Sequence, residues 1–470
     1  MSGPRADTLV LFGITGDLAR KLVLPALYQL AARGEVTVPI VGVALSTWND
    51  DELHQHIRDA VAAVGPIDEA VLAKLLARTS LVRGDYADAA TFAELAQHVS
   101  GASFLAHYLA VPPSLFAIIA EGLTAAGLAG HARLVVEKPF GHDLASARDL
   151  NVRLHRCFPE ERIFRVDHYL GKEPVQDLLV LRFANLLFEP IWNRYHVNSV
   201  QITMAETYDV ADRGSFYDTV GTIRDVIQNH LLQVMAYLAM EPPSSALAQA
   251  ERDEKVKLLS AVRTADLADL VRGQYTGYLD TPGVRPGSTT ETFAALRLFV
   301  DNWRWADVPF VIRAGKCLPV KALEVLVELR RPPAMLFASA DADRPPPNLI
   351  RLAIQPHAGL TLHLLAKQPG AAEVTREIPV SVDFSQALGS MQEAYEHVLA
   401  SAIEGDPRHF ASEDTLEQAW RIVGPLLDRS DTPVPYQPGS WGPEQANRLA
   451  PGGCWYPVGV TAGGPVLTTR

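Results

Sequence analysis

The chain has 470 residues, 48% apolar and 20% charged, a globular balance that can bury a core without disulfide or metal staples. Its formal net charge of −12 excludes the basic face that general nucleic-acid binding needs and gives no sign of attraction to an anionic membrane. It does not exclude a small anion held by a local cluster of cations. Cys157, Cys317 and Cys454 form no disulfide framework or zinc motif and point to a reducing cytoplasm.

In chain order, Thr8–Phe12 is a continuous apolar strand, and the run Leu9–Ile14 is too short for a signal segment. A turn with Gly13 and Gly16 leads into a helix from about Asp17 to Arg33, with Gly34 as its C-cap. Pro39–Leu45 is a second apolar strand. Asn49 caps a helix through Val64 whose first turn holds Asp50, Asp51 and Glu52. Strands at Phe104–Leu109 and Arg133–Val136 alternate with helices at Asp88–Val99, Pro113–Ala126 and Leu144–Leu154. The uncharged stretch Val99–Ala120 contains His107, Pro112 and Pro113, so it reads as strand, turn and helix start rather than a membrane span. This alternation implies a parallel sheet covered on both faces.

After about residue 195 the pattern changes. Ser199–Glu206 alternates like a strand and Thr219–Met240 reads as one long helix. Six β-rich runs follow, at Thr292–Val300, Pro309–Arg313, Glu324–Leu329, Leu349–Gln355, Leu360–Ala366 and Glu373–Phe384, which suit an antiparallel meander. Helices near Met391–Ile403 and Ser412–Leu427 precede a Pro/Gly-rich tail. The expected fold class is an α/β half followed by an α+β half.

The turn Gly13-Ile-Thr15-Gly16-Asp17-Leu18-Ala19 follows a strand and opens a helix, the setting of a dinucleotide phosphate loop; taken alone it is also an ordinary tight βα turn. At the end of the second strand an acid would favour NAD and an arginine NADP; Ala44-Leu45-Ser46 offers neither.

Three stretches concentrate ionisable groups. Glu137-Lys138-Pro139 puts a lysine where an apolar parallel strand ends, Arg165 to Glu173 packs Asp167, His168, Tyr169 and Lys172 together, and Asp225 to His230 lies on the long helix with Asp225 and Asn229 on one face. Each has an ordinary structural reading: an edge lysine, a capped turn, a satisfied core histidine. Together, after a nucleotide loop, they suggest an anion site of His168, Tyr169 and Lys172 beside an Asp167/His230 acid–base pair.

These residues resemble the glucose-6-phosphate dehydrogenase family. The motifs are GDLA at Gly16–Ala19, EKPFG at Glu137–Gly141, RVDHYLGKE at Arg165–Glu173, FEPIWN at Phe188–Asn193, AET at Ala205–Thr207, IRDVIQNHLLQ at Ile223–Gln233, AMEPP at Ala239–Pro243, RAGKCL at Arg313–Leu318 and GSWGP at Gly439–Pro443. The resemblance implies a Rossmann-like N-terminal domain over 1–170 and an α+β C-terminal domain over 171–470. The large antiparallel sheet of the latter would support a homodimer or homotetramer. It implies oxidation of glucose 6-phosphate with NADP or NAD, without metal, in the cytoplasm. His230 is the implied general base and Asp167 its carboxylate partner. His168, Tyr169, Lys172 and Lys321 would clamp the phosphate, while Lys138, Glu206, Asp225, Lys316 and Gln355 would contact the sugar. Gly13, Thr15, Gly16, Asp17, Leu18, Ser46 and Lys138 would hold the cofactor.

The chain departs from the family pattern. Leu22 stands where a third basic residue usually follows GDLA, and Leu45 replaces the arginine expected to meet a 2′-phosphate, which predicts weakened NADP preference with Arg20 or Lys21 as substitutes. Ser215 replaces a usual glycine, with local backbone consequences only. Two alternatives stay open: a sugar oxidoreductase of the inositol-dehydrogenase-like group, and a regulatory paralogue that binds without turnover.

Overall fold

Short apolar runs near the N-terminus form parallel strands because both of their faces are covered by helices. In the computed structural model, which describes residues 3–333, 337–339, 345–370, 374–427 and 429–459, these are β1 (Thr8–Phe12), β2 (Ile40–Ala44), β3 (Thr79–Arg83), β4 (Leu105–Leu109), β5 (Ala132–Val136) and β6 (Ile163–Val166). They lie in the order β6-β5-β4-β1-β2-β3, all parallel, and Phe410–Ala411 adds an antiparallel strand beside β6. Every residue of β1, β2, β4 and β5 is buried. The strand order reverses between β1 and β4, the switch point where open α/β sheets take ligands beyond their C-terminal strand ends. Asn49 caps Asp50–Ala62 as expected: its Oδ1 accepts the Glu52 N–H at 2.9 Å, and Glu52 accepts the Asn49 N–H at 2.8 Å. The sequence pattern does not reveal β3 and β6, whose runs TSLVR and IFRV each carry an arginine.

The chain divides into two compact units. The first is Met1–Glu173 with Pro243–Asp253 and Gln392–Glu417; the second is Pro174–Pro242, Glu254–Met391 and Gln418–Arg470. The switch at 173/174 lies close to the expected 170/171, and two later segments return to the first unit. One of them carries the strand Phe410–Ala411.

The second unit is built on β7 (Val197–Ala205), β8 (Leu270–Tyr275), β9 (Phe293–Leu298), β10 (Phe310–Gly315), β11 (Ala322–Leu329), β12 (Ala338–Ser339), β13 (Leu349–Gln355), β14 (Gly359–Lys367) and β15 (Val374–Asp383). Their order is β12-β15-β14-β13-β11-β7-β10-β9-β8, followed by Val434–Tyr436. β13, β14 and β15 form the expected antiparallel meander. β7 and β10, however, run parallel, which a meander does not provide for. Glu373, at the start of the last expected strand, and residues 341–344 of the Pro-rich loop lie outside the described residues.

The long helix expected at Thr219–Met240 is three pieces. Gly214–Thr222 meets a π-helical segment, Ile223–Leu231, which continues as Leu232–Ala239. Gly221 makes the break at φ 68°, and a Cβ there would sit 2.6 Å from the Glu291 carboxylate. Ser215 is exposed within the first piece.

Candidate active site

In the first unit, the turn after β1 reaches the end of β4. A Cβ on Gly13 would lie 2.4 Å from the Ala110 carbonyl oxygen, and Gly13 has φ 78°, so both space and backbone demand glycine. The Gly13 N–H donates to Val43 O at 2.8 Å and the Gly16 N–H to Gly13 O at 2.9 Å, which closes the turn before the helix begins. Thr15, Gly16 and Leu18 are half-buried and Asp17 is exposed. Ser46, two residues past β2, accepts the Trp48 N–H at 3.4 Å. A tight glycine turn feeding a helix N-terminus at the sheet's switch point fits a dinucleotide pyrophosphate.

β5 and β6 deliver the next residues to the same strand edge. Glu137 and Lys138 follow β5, and Asp167 follows β6, its parallel neighbour. Glu137 is buried and accepts the Tyr108 hydroxyl at 2.6 Å; burial pushes its carboxyl up to about 7, against the lowering effect of the Tyr108 and Tyr395 hydroxyls. Asp167 is buried and its Oδ1 accepts the Tyr169 N–H at 3.0 Å. Successive turn bonds, Leu170 N–H to Asp167 O at 2.9 Å and Lys172 N–H to Tyr169 O at 3.2 Å, curl the segment. That curl sets the Lys172 ammonium 4.5 Å from the Tyr169 ring centre and the His168 ring 4.8 Å from it. His168, Tyr169 and Lys172 therefore share one turn, as the sequence suggests.

In the second unit, Glu206 follows β7 and Lys316 follows β10. Because these strands are parallel, with Ala205 opposite Gly315, the two side chains emerge together and pair at 2.7 Å. Lys316 also stands 4.9 Å from the Tyr208 ring centre and 5.2 Å from that of Tyr217. Tyr208 donates its hydroxyl to Glu206. Burial, then Glu206 and Asp225, pushes the Tyr208 phenol well above its ordinary value, and burial with the Asp225 charge does the same to Tyr217. Lys321 precedes β11 and Gln355 ends β13. With Ala322 opposite Ala205 and Leu323 opposite Gln355, both fall at that edge.

Asp225 and His230 lie on the π-helical segment, His230 buried and Asp225 half-buried. The i,i+5 bonding of a π-helix brings His230 as well as Asn229 onto the turn next to Asp225, so His230 adjoins the Asp225/Asn229 face. The Asn229 Nδ2 donates to Arg224 O at 3.2 Å.

Neither departure from the family pattern is simply repaired. Lys21 pairs with Asp17 at 3.1 Å, and Leu22 is partly exposed. Leu45 is 71% exposed. Arg20 is close enough to His56 to add to the lowering that burial imposes on that imidazole. Sequence reasoning misses one cation here: Arg83 ends β3 in register with Ala44, beside Leu45, and is exposed. Only the β2–β3 pairing reveals it. Tyr395, whose hydroxyl meets Glu137, is missed because it is so distant in sequence.

Residues 10–177 match the family described as glucose-6-phosphate dehydrogenase, NAD binding domain, and residues 179–454 match its C-terminal domain. The chain belongs to the glucose-6-phosphate dehydrogenase family. It is 44% identical over 467 residues to glucose-6-phosphate 1-dehydrogenase 1 of Mycobacterium tuberculosis, spanning 98% of this chain and 99% of that one. It is 37% identical to the glucose-6-phosphate 1-dehydrogenase of Aggregatibacter actinomycetemcomitans, over 94% and 95% of the two chains. The solved glucose-6-phosphate 1-dehydrogenase of Mycobacterium avium superposes with TM-score 0.90 at 45% identity, covering 97% of this chain and all of that one. A glucose-6-phosphate dehydrogenase solved in complex with its substrate glucose-6-phosphate gives TM-score 0.89 at 34% identity, covering 96% and 98%. A yeast Gal80p mutant, at TM-score 0.51 and 10% identity, shares the fold alone. Among the described residues no helix is long and apolar enough to cross a membrane.

Proposed function

We propose that this chain is an NAD(P)-dependent glucose-6-phosphate 1-dehydrogenase that oxidises the C1 carbon of glucose 6-phosphate to 6-phosphogluconolactone. The observation that carries the reading is the Asp167–Lys172 turn, which lies at the strand edge that also holds the Gly13 turn. Family membership over nearly the whole chain supports the substrate class and disfavours both alternatives.

In this reading Gly13, Thr15, Gly16, Asp17 and Leu18 hold the dinucleotide phosphates, Ser46 its adenosine ribose, and Lys138 reaches it from β5. The nicotinamide dinucleotide, when bound, supplies the hydride acceptor. His230 takes the proton of the C1 hydroxyl at an imidazole nitrogen, while the C1–H bond breaks and the C1–O bond becomes a carbonyl. Asp167 is assigned as the carboxylate that orients this imidazole and stabilises its protonated form. His168, Tyr169, Lys172 and Lys321 bind the phosphate with compact charges and donors. Glu206, Asp225, Lys316, Lys138 and Gln355 fix the sugar hydroxyls, and so the carbon that reacts.

NAD is the better coenzyme in this proposal, because an exposed leucine at position 45 cannot pair a 2′-phosphate. Arg83, in register with Ala44 beside Leu45, is the cation we assign to residual NADP use. The chain works in the cytoplasm as a homodimer or homotetramer, a state supported by the exposed Leu364, Ile378, Val380 and Val382 on β14 and β15. Light scattering that finds a monomer would remove that part. Steady-state kinetics on glucose 6-phosphate, glucose and other hexose phosphates test the whole. Turnover should require the phosphate, and equal rates on free glucose would overturn the clamp.

A further inference from the structure

The turn that carries His168, Tyr169 and Lys172 rests on a helix more than two hundred residues away in sequence. Ala394–Glu404, part of the first unit, meets it at three points. The Tyr395 ring stacks on His168 at 6.0 Å and 24°, while the Tyr395 hydroxyl reaches the buried Glu137 carboxyl. Gly171 lies against the helix start so closely that a Cβ would be 2.6 Å from the Ala394 carbonyl oxygen and 3.2 Å from the Val398 side chain. Glu173, next to Lys172, is held from the same region: its Oε1 is 3.0 Å from His397 Nε2 on the helix and accepts the N–H of Gln392, just before the helix, at 3.3 Å.

We propose that the first turns of helix Ala394–Glu404 are the template for the phosphate-binding turn, with His397 as a positioning residue that sets Lys172 through Glu173. The physical reason is leverage. Lys172 is a long, flexible point charge, and its reach is set by where its backbone stands. The one side chain adjoining it in sequence that is anchored on this helix is Glu173. Gly171 fixes the distance of the turn from the helix and His397 fixes its far end. His397 touches no substrate in this account. The inference rests on the proposed role of Lys172 in binding the sugar phosphate.

The test is a double-mutant cycle on the full-length enzyme with His397→Leu, Glu173→Gln and the pair together, reading KM for glucose 6-phosphate, KM for the coenzyme and kcat. Each single change should raise KM for glucose 6-phosphate about five- to tenfold, leaving kcat and the coenzyme KM within about twofold. The double variant should be no worse than the poorer single one. His397→Arg, which keeps a donor for Glu173, should restore KM. Independent, multiplicative effects, an unchanged KM, or a fall in kcat shared by all variants would overturn the template. Should His397→Leu not fold, Glu173→Gln alone decides, since it preserves shape and removes the charge. Lys172→Gln is the control: if it leaves KM for glucose 6-phosphate unmoved, the phosphate clamp itself fails, and the inference with it.

Discussion

The two sheets present functional side chains by different routes. In the first unit every strand of the six-stranded core is parallel, so all C-terminal ends share one edge, and Gly13, Lys138 and Asp167 reach it by default. The second sheet is mostly antiparallel, and successive strand ends would alternate between edges. There the parallel β7–β10 pair restores convergence, bringing Glu206 and Lys316 side by side. Lys321 joins from the start of antiparallel β11 and Gln355 from the end of β13. Convergence of strand ends, more than sequence proximity, gathers the candidate side chains within each unit.

The comparison can be broken most severely at the π-helical segment, which belongs to neither strand edge. His230→Asn should lower kcat by about 10²–10⁴-fold, as loss of a general base does. Binding of glucose 6-phosphate, followed by calorimetry, should change by less than about threefold. Unchanged turnover would remove His230 from the chemistry.

The Glu206–Lys316 pair is the next lever. Both side chains are nearly buried, so Lys316→Met strands a carboxylate and should cost about 3 kcal/mol in urea unfolding, besides raising KM for glucose 6-phosphate. A stability loss below about 0.5 kcal/mol would show the pair to be solvent-screened.

A smaller effect is expected at the coenzyme edge. Leu45→Arg should raise kcat/KM with NADP about tenfold and leave NAD nearly unchanged, the yield of one charge-assisted hydrogen bond. Arg83→Ala should lower what NADP activity the native chain has. If Leu45→Arg has no effect on NADP, the 2′-phosphate does not lie at this position.

The smallest effect is a pH slope. Burial lifts the Glu137 carboxyl to about 7 from an ordinary 4.5, so the folded chain holds a proton there that the unfolded chain has lost. Its contribution is favourable below about pH 4.5 and declines as pH rises through 7. The Tm of Glu137→Gln should therefore gain on the native protein between those values, by the equivalent of a few kcal/mol at most. Parallel Tm curves would place the carboxyl near its ordinary value.

Much of this was legible in the chain itself. β1, β2, β4 and β5 are uninterrupted apolar runs, and Asn49 with Glu52 announces its helix. The residues of 167–172 sit on one turn because they are neighbours in sequence. What was not legible depends on pairing at a distance. Arg83 matters only once β3 is known to lie beside β2, and Tyr395 and His397 only once their helix is known to return to the first unit. The π-helical form of Ile223–Leu231 was not legible, because over nine residues a π-helix has no periodicity that distinguishes it from an α-helix.

The central claim is a phosphate-requiring, NAD-favouring oxidation at C1. Steady-state reduction of NAD and NADP, followed by absorbance with glucose 6-phosphate and with glucose, tests it most directly. The account predicts turnover only with the phosphate ester and a higher kcat/KM with NAD. Equal or better kcat/KM with NADP would contradict the reading of Leu45, and comparable turnover of glucose would contradict the clamp.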